Sequence, residues 1–255
     1  MKWRQRFDAL LPVLGIAGFI AAWAVLVRLG QIDASVLPGP LDVLRALHVG
    51  LFQGALWGDA LFTLAASLAG LAIGCGLGLA GGIWIGDSAT AHRFLYPVAM
   101  GVQAMPMVAL APLLIAIFGL GAESKIAMVA ISCTAPVFVG TVAGMGAANP
   151  DLLSLYRVCG AGRWRTLVDV KLPGALDYIF GGLQVAVALA FVSCVVAEFI
   201  ASERGLGHLI KSLSSQLDMS AMFAAIAMLA IMGGGCGALL RVLHRRVVHW
   251  AQPHD

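Results

Sequence analysis

The chain has 255 residues, 60% of them hydrophobic and 11% charged, with a formal net charge of +3. Soluble domains carry about 25% charged residues, and the mean hydropathy of +0.93 points the same way. The composition therefore excludes an ordinary soluble enzyme and indicates an integral membrane protein. Six windows lack Asp, Glu, Lys and Arg altogether, at 9–27, 60–86, 94–122, 126–150, 178–197 and 219–240. Each is long enough to cross a hydrocarbon core. Backbone polar groups in lipid must be satisfied within the chain, so an all-α fold with six transmembrane helices is expected.

Helix 1 is expected at about 9–28. Its basic start resembles a signal peptide, but Val25, Leu26 and Val27 carry the apolar run on to Arg28 without a small-residue cleavage site, so it is read as a retained helix. LPGPLDVLRAL (37–47) follows. Pro38 and Pro40 break the chain, and Leu41, Leu44, Arg45 and Leu47 suggest a short amphipathic surface helix. Helix 2, about 60–86, carries Gly70, Gly74, Gly78, Gly82 and Gly86 on one stripe. A neighbouring backbone can lie closely on such a stripe.

Helix 3, about 92–118, contains Pro97, Pro106 and Pro112. Prolines kink helices, and irregular backbone at membrane depth is tolerated beside protein or a water-filled cavity. This helix is the leading candidate to line a path, with Gln103 and Met105 between two kinks. Three prolines can also simply bend a packed helix. Helix 4 spans about 126–147.

Asn149, Pro150 and Asp151 then form a helix start signal. A short helix should run from Pro150 to about Cys159, with Gly160 ending it and Gly162 permitting a second bend. A second short helix is expected at about 163–171, before Leu172-Pro173. Helix 5 should begin near Gly174 and end near Ala201. The loop 202–217 should follow, then helix 6 at about 219–246, capped by Asp218 or Ser220.

Orientation follows from Lys and Arg. With the N-terminus inside, the inner segments hold eleven basic residues and the outer segments five. The expected topology is N-in and C-in, with the segment 148–176 in the cytoplasm. The positive charge thus marks topology, not nucleic-acid binding. The chain reads as a single transmembrane domain over 1–255. Within it, 1–58 holds the first helix and outer segment, 59–246 the core, and 148–173 a cytoplasmic coupling loop.

That loop contains SLYRVCGAGRWRTLVDVKLP (154–173), a polar, basic island between apolar helices. It looks like a docking element for a soluble partner. Its spacing resembles the cytoplasmic signature of ABC importer permeases: E-A-A, three residues, G, nine residues, I, one residue, L-P. Gly160-Ala161 falls on the glycine and its common follower, Val170 on the isoleucine, and Leu172 and Pro173 on the final pair. Ser154, Leu155 and Tyr156 stand where that signature has E-A-A, so its acidic residue is replaced. LPGPLDVLRAL, MPMVALAPLLIAIFGLGAESKI and AEFIASERGLGHLI also resemble the nitrate/sulfonate/taurine group of these permeases, in the group's order.

The resemblance implies a bacterial inner-membrane permease subunit of an ATP-driven importer, itself no enzyme and binding no cofactor. A second copy would complete the path. A pair of cytoplasmic ATPase subunits would carry ATP and Mg and bind the islands, and an external solute-binding protein would deliver the solute. The implied solutes are nitrate-, sulfonate- or taurine-like anions or pyrimidine-type vitamin precursors. Leu155, Tyr156 and Val158 suit apolar anchors for the ATPase, with Arg157, Arg163 and Arg165 as a polar rim.

Other chemistry is poorly served. The chain lacks G-x-x-x-x-G-K-[ST] and H-E-x-x-H. The five cysteines share no metal-ligand spacing, and the six histidines fall at helix ends or loops. A secondary transporter or stand-alone channel is the competing class, but a coupling-ion site would call for an acid at the bilayer centre. A membrane scaffold that only assembles partners is a third reading. Glu198, Thr134, Gln184 and Ser193 are the polar groups left near or at depth. Each could face the path or serve packing.

Overall fold

The computed structural model describes residues 2–29, 36–52, 54–103 and 107–248, and among these every regular element is helical. In chain order they are α1 (Lys2–Arg28), α2 (Pro40–Phe52), α3 (Ala55–Asp87), α4 (Ala89–Gln103), α5 (Met107–Phe118) and α6 (Ala122–Gly146). Then come α7 (Pro150–Val158), α8 (Arg163–Thr166), α9 (Leu172–Ile200), α10 (Leu206–Ser215) and α11 (Met219–Val247). Four helical stretches are long and apolar enough to cross a membrane: Leu56–Asp87, Ala122–Gly146, Arg163–Ile200 and Met219–Val247. Ala17–Arg28 and Val108–Phe118 are shorter apolar helices.

The core is a three-helix stack with α6 between α3 and α9. Small residues explain the closeness. All five glycines of the α3 stripe face α6. A β-carbon on Gly74 would lie 2.5 Å from the Ala130 carbonyl oxygen, and one on Gly78 2.7 Å from that of Thr134. Gly70, Gly82 and Gly86 meet Val129, Thr141 and Met145 in the same way. On the other side of α6, a β-carbon on Gly140 would approach the Tyr178 carbonyl of α9 to 2.6 Å, and one on Gly182 the Pro136 carbonyl to 2.6 Å. Backbones this close gain dispersion contacts, which drive helix association where lipid removes the hydrophobic term. Val129, Cys133 and Val137 are fully enclosed in the seam. Thr134 and Thr141 turn their hydroxyls back onto carbonyls four residues earlier, each at 2.7 Å, so neither leaves a polar group unpaired.

A second cluster joins α2, α10, α11 and the start of α3 around Val43, Leu56, Leu206 and Ala225. It lies at the end of the bundle opposite α7. The 202–217 segment, expected as a loop, therefore contains α10, whose Leu206 and Ile210 are buried. The expected helix 3 is described as α4 up to Gln103 and α5 from Met107; residues 104–106 between them, Pro106 included, lie outside the described residues. Met105 lies outside the described residues, as does the Gln103 side chain. Pro97 and Pro112 lie within α4 and α5.

The island also differs from the expectation at its second half. Residues 163–200 run as one continuous 38-residue helix, with a π turn over Leu167–Lys171 where a break before Leu172-Pro173 was expected. The Leu172 amide bonds to the Leu167 carbonyl across that turn. A π turn shifts the hydrogen-bond ladder by one residue, which lets a helix pass a proline that cannot donate.

Candidate coupling surface

Local chemistry builds the island residue by residue. The Asn149 side chain accepts the Asp151 amide at 2.8 Å and caps α7, with Pro150 at the first helical position. At the other end the Gly160 amide bonds to the Arg157 carbonyl at 3.1 Å and the Ala161 amide to the Tyr156 carbonyl at 2.9 Å. This pairing is the Schellman stop, and it requires a left-handed residue. Gly160 supplies it with φ +70°. Gly162, expected to permit a bend, is extended at φ −67° and ψ 161°, a conformation open to any residue. The bend belongs to Gly160 alone.

α7 has two faces. Leu153 and Tyr156 are half-buried, and Ser154 returns its hydroxyl to the Pro150 carbonyl at 2.9 Å. Leu152, Leu155 and Val158 point outward, Val158 being 86% exposed, and Trp164 on α8 adds to them at 75%. Four large apolar side chains thus stand in the open on an otherwise polar segment. Of the three residues expected as anchors, Leu155 and Val158 are exposed and Tyr156 is half-buried. Leu172 and Pro173 are half-buried where the π turn joins α9.

One residue that patterning left unremarked holds the island in place. Asp87, the last residue of α3, accepts from Lys171 Nζ at 2.7 Å and from Arg163 Nη2 at 3.0 Å. Lys171 and Asp87 are mostly buried, at 20% and 23% exposure, and Arg163 is exposed at 83%. The inner pair is therefore the stronger, since exposed ion pairs contribute at most about 1 kcal/mol. Arg165 instead meets Asp169 loosely at 3.5 Å. Asp87, Leu153, Arg157, Ala161 and Thr166 line a cavity of about 390 Å³ beneath the apolar face. The island is thus held to the end of α3 by the Asp87–Lys171 ion pair and runs continuously into α9. Nearby, His244 of α11 bonds Asp177 of α9 at 2.9 Å and stacks on Phe180, so that histidine is a contact between helices.

The polar residues at depth separate. Ser193 lines a cavity of about 310 Å³ between α5, α6 and α9, with Val108, Met128, Ser132, Pro136 and Val192. Thr134 is half-buried on the α3 side of α6 and bonded to its own helix. Gln184 is exposed. Glu198 is 1% exposed and belongs to a latch at the end remote from the island. Its carboxylate accepts the Thr63 hydroxyl at 2.8 Å and the Gly207 amide at 2.7 Å. Thr63 in turn accepts the Leu206 amide at 2.8 Å, and Asp59 the Gly205 amide at 2.7 Å. Gly205, at φ +105°, packs directly on the carboxylate. Lys125, one of the five basic residues counted to the outer segments, is fully buried at this same end and donates to the Leu120 and Ala201 carbonyls. Among the described residues no group of three or more His, Cys, Asp or Glu is placed to hold a metal ion.

The sequence profile of the family described as "Binding-protein-dependent transport system inner membrane component" matches residues 72–250. The chain is 34% identical over 250 residues to the riboflavin transport system permease protein of Chloroflexus aurantiacus (strain ATCC 29366 / DSM 635 / J-10-fl), covering 96% of this chain and 92% of that protein. It is 30% identical over 257 residues to the taurine transport system permease protein of Escherichia coli (strain K12), covering 98% and 94%. Among solved structures, the inward-facing MetNI methionine ABC transporter superposes with a TM-score of 0.64 at 16% identity, covering 75% of this chain and 93% of that chain. An amino acid ABC transporter with histidines gives 0.64 at 18%, covering 78% and 97%.

Proposed function

The chain belongs to the family of binding-protein-dependent transport inner-membrane components and is a multi-pass permease of the ABC importer type, and on that premise we propose that its island is the coupling element for a separate cytoplasmic ATPase. The observation that carries this reading is the open apolar face of Leu152, Leu155, Val158 and Trp164 on a segment braced by Asp87 and Lys171. Exposed apolar clusters with a polar rim are what protein partners bury. ATP binding and hydrolysis take place on the partner, which closes as a pair and moves α7. The motion passes through the π turn into α9 and through Asp87 into α3.

Two copies of this chain form the pathway, with six spans each and both termini in the cytoplasm. The wall is drawn from α5, α6 and α9, where Ser193 and the 310 Å³ cavity lie. An external binding protein delivers the solute to the far end, above the Glu198 latch. The relatives' named substrates, taurine and riboflavin, support a small organic solute: a sulfonate-like anion or a heterocyclic vitamin or its pyrimidine precursor.

The test is co-purification with the cognate ATPase and transport in proteoliposomes. Leu155→Asp with Val158→Asp should insert and melt normally, because both side chains are exposed, yet lose ATPase association at least tenfold. Unchanged association with unchanged transport would remove the coupling role from this face. Uptake by this chain without any ATPase would favour a channel or secondary transporter instead.

A further inference from the structure

A further concave surface lies between α1 and α2, at the end of the bundle remote from the island. Its volume is about 620 Å³. Ala17, Ala21 and Ala24 of α1 recur at helical spacing and form its floor, while Leu41 and Leu44 of α2 form a wall. Both leucines are 60% exposed. The core-facing residue of α2 is Val43. Arg28, the last residue of α1, and Arg45 of α2 line the same cleft. They are two of the five basic residues on the sequence's sparser side. The one acid in the lining, Asp42, approaches Arg45 only to 3.6 Å, with both side chains largely exposed. A pair so exposed does little to neutralise either partner.

We propose that this cleft holds one anionic phospholipid of the surrounding bilayer. Its phosphate lies against Arg28 and Arg45, and one acyl chain lies along the alanine floor. Charge complementarity selects this occupant. The apolar slot runs along a membrane-facing helix and ends at two guanidiniums. An anionic lipid matches both ends, since arginine forks bind phosphate oxygens bidentately and the alanines leave room for an alkyl chain. A zwitterionic lipid of the same chains matches the slot but loses part of the charge term. The ligand would lie against both α1 and α2.

The experiment is native mass spectrometry of the full-length chain in mild detergent, titrated with dioleoylphosphatidylglycerol or dioleoylphosphatidylcholine. The first lipid should bind about tenfold more tightly as phosphatidylglycerol, the scale expected from two basic groups near a surface. Arg28→Gln with Arg45→Gln should bring the two lipids to equal affinity. Ala21→Leu keeps both arginines but fills the slot, and should weaken both lipids. Inorganic phosphate at the same concentration should not displace the lipid. Arg204→Gln with Lys211→Gln, at the same end but outside the cleft, should leave the preference intact. Equal affinity in the parent chain overturns the proposal, as does a preference that survives the double arginine substitution, or displacement by phosphate alone.

Discussion

At the scale of single residues, function and stability separate at two glycines and one acid. The Gly160 β-position is open space, so a side chain there meets no clash and any effect arises from the backbone. Gly160→Val should cost of order 1 kcal/mol or more, because a β-branched residue resists positive φ. Gly160→Asn should be milder, since Asn tolerates that region. We expect both to insert, with ATPase association reduced in the valine variant and largely restored in the asparagine variant. Equal defects in the two would point to lost side-chain space and not to backbone strain. Glu198 presents the opposite case. Glu198→Ala would strand the Gly207 amide and disturb Thr63, at about 1–3 kcal/mol for each buried group left unpaired. A fall in melting temperature of the purified chain is expected. If the variant melts like the parent but no longer transports, Glu198 acts on the solute and not as a latch. Gly205 shares the latch, since its φ of +105° is tied to the carboxylate it packs on.

At the scale of elements, the decisive contact is α3 on α6. Gly78→Leu would drive a side chain into the α6 backbone, and overpacking of this kind costs about 1–3 kcal/mol or more. Gly76, two residues away on the same helix, has nothing within 4 Å of its β-position. Gly76→Leu should therefore leave yield and melting temperature near the parent values, while Gly78→Leu lowers both. Equal tolerance of the two would mean that the stripe is a sliding surface and not a fixed seam. The π turn is a second decisive element. It keeps α8 and α9 one continuous helix past Pro173. Asp87→Ala should release the opposite support of the island. It should also lower the melting temperature, because the mostly buried Lys171 loses its partner, and transport per ATP hydrolysed should fall. Coupling that stays unchanged would reduce Asp87 to a surface contact.

At the scale of the whole molecule, orientation and assembly are the open predictions. Cys159 lies exposed beside α7, whereas Cys133 and Cys194 are buried. In a chain keeping Cys159 as its only cysteine, a membrane-impermeant maleimide should label inverted vesicles and not intact cells. Glu203→Cys, exposed at the opposite end of the bundle, should give the reverse pattern in a cysteine-free chain. The opposite pair of results would place the island outside and end the coupling proposal. The purified transporter should also contain two copies of this chain for each ATPase pair. A complex with one copy and a different permease would change the assembly but leave the family untouched.

Much of this protein is determined by local chemistry and was therefore legible in the sequence. Charge-free windows predict apolar helices because lipid offers no partner to backbone groups. Asn149 and Gly160 predict the ends of α7 because caps act within a few residues. The glycine stripe of α3 announces a close neighbour because its period matches the helix. Tertiary structure alone decided which neighbour that is, and that α6 is gripped from both sides. It also brought Asp87 to Lys171, 84 residues apart, and Glu198 to Thr63, 135 apart. No window of sequence contains both members of such a pair. It also buried Lys125, which charge counting placed in an outer segment, where carbonyls from two separate segments converge to accept its protons. The half-burial of Tyr156 and the exposure of Leu155 and Val158 followed from the packing of neighbours, since a helical pattern defines faces but not which one meets the protein.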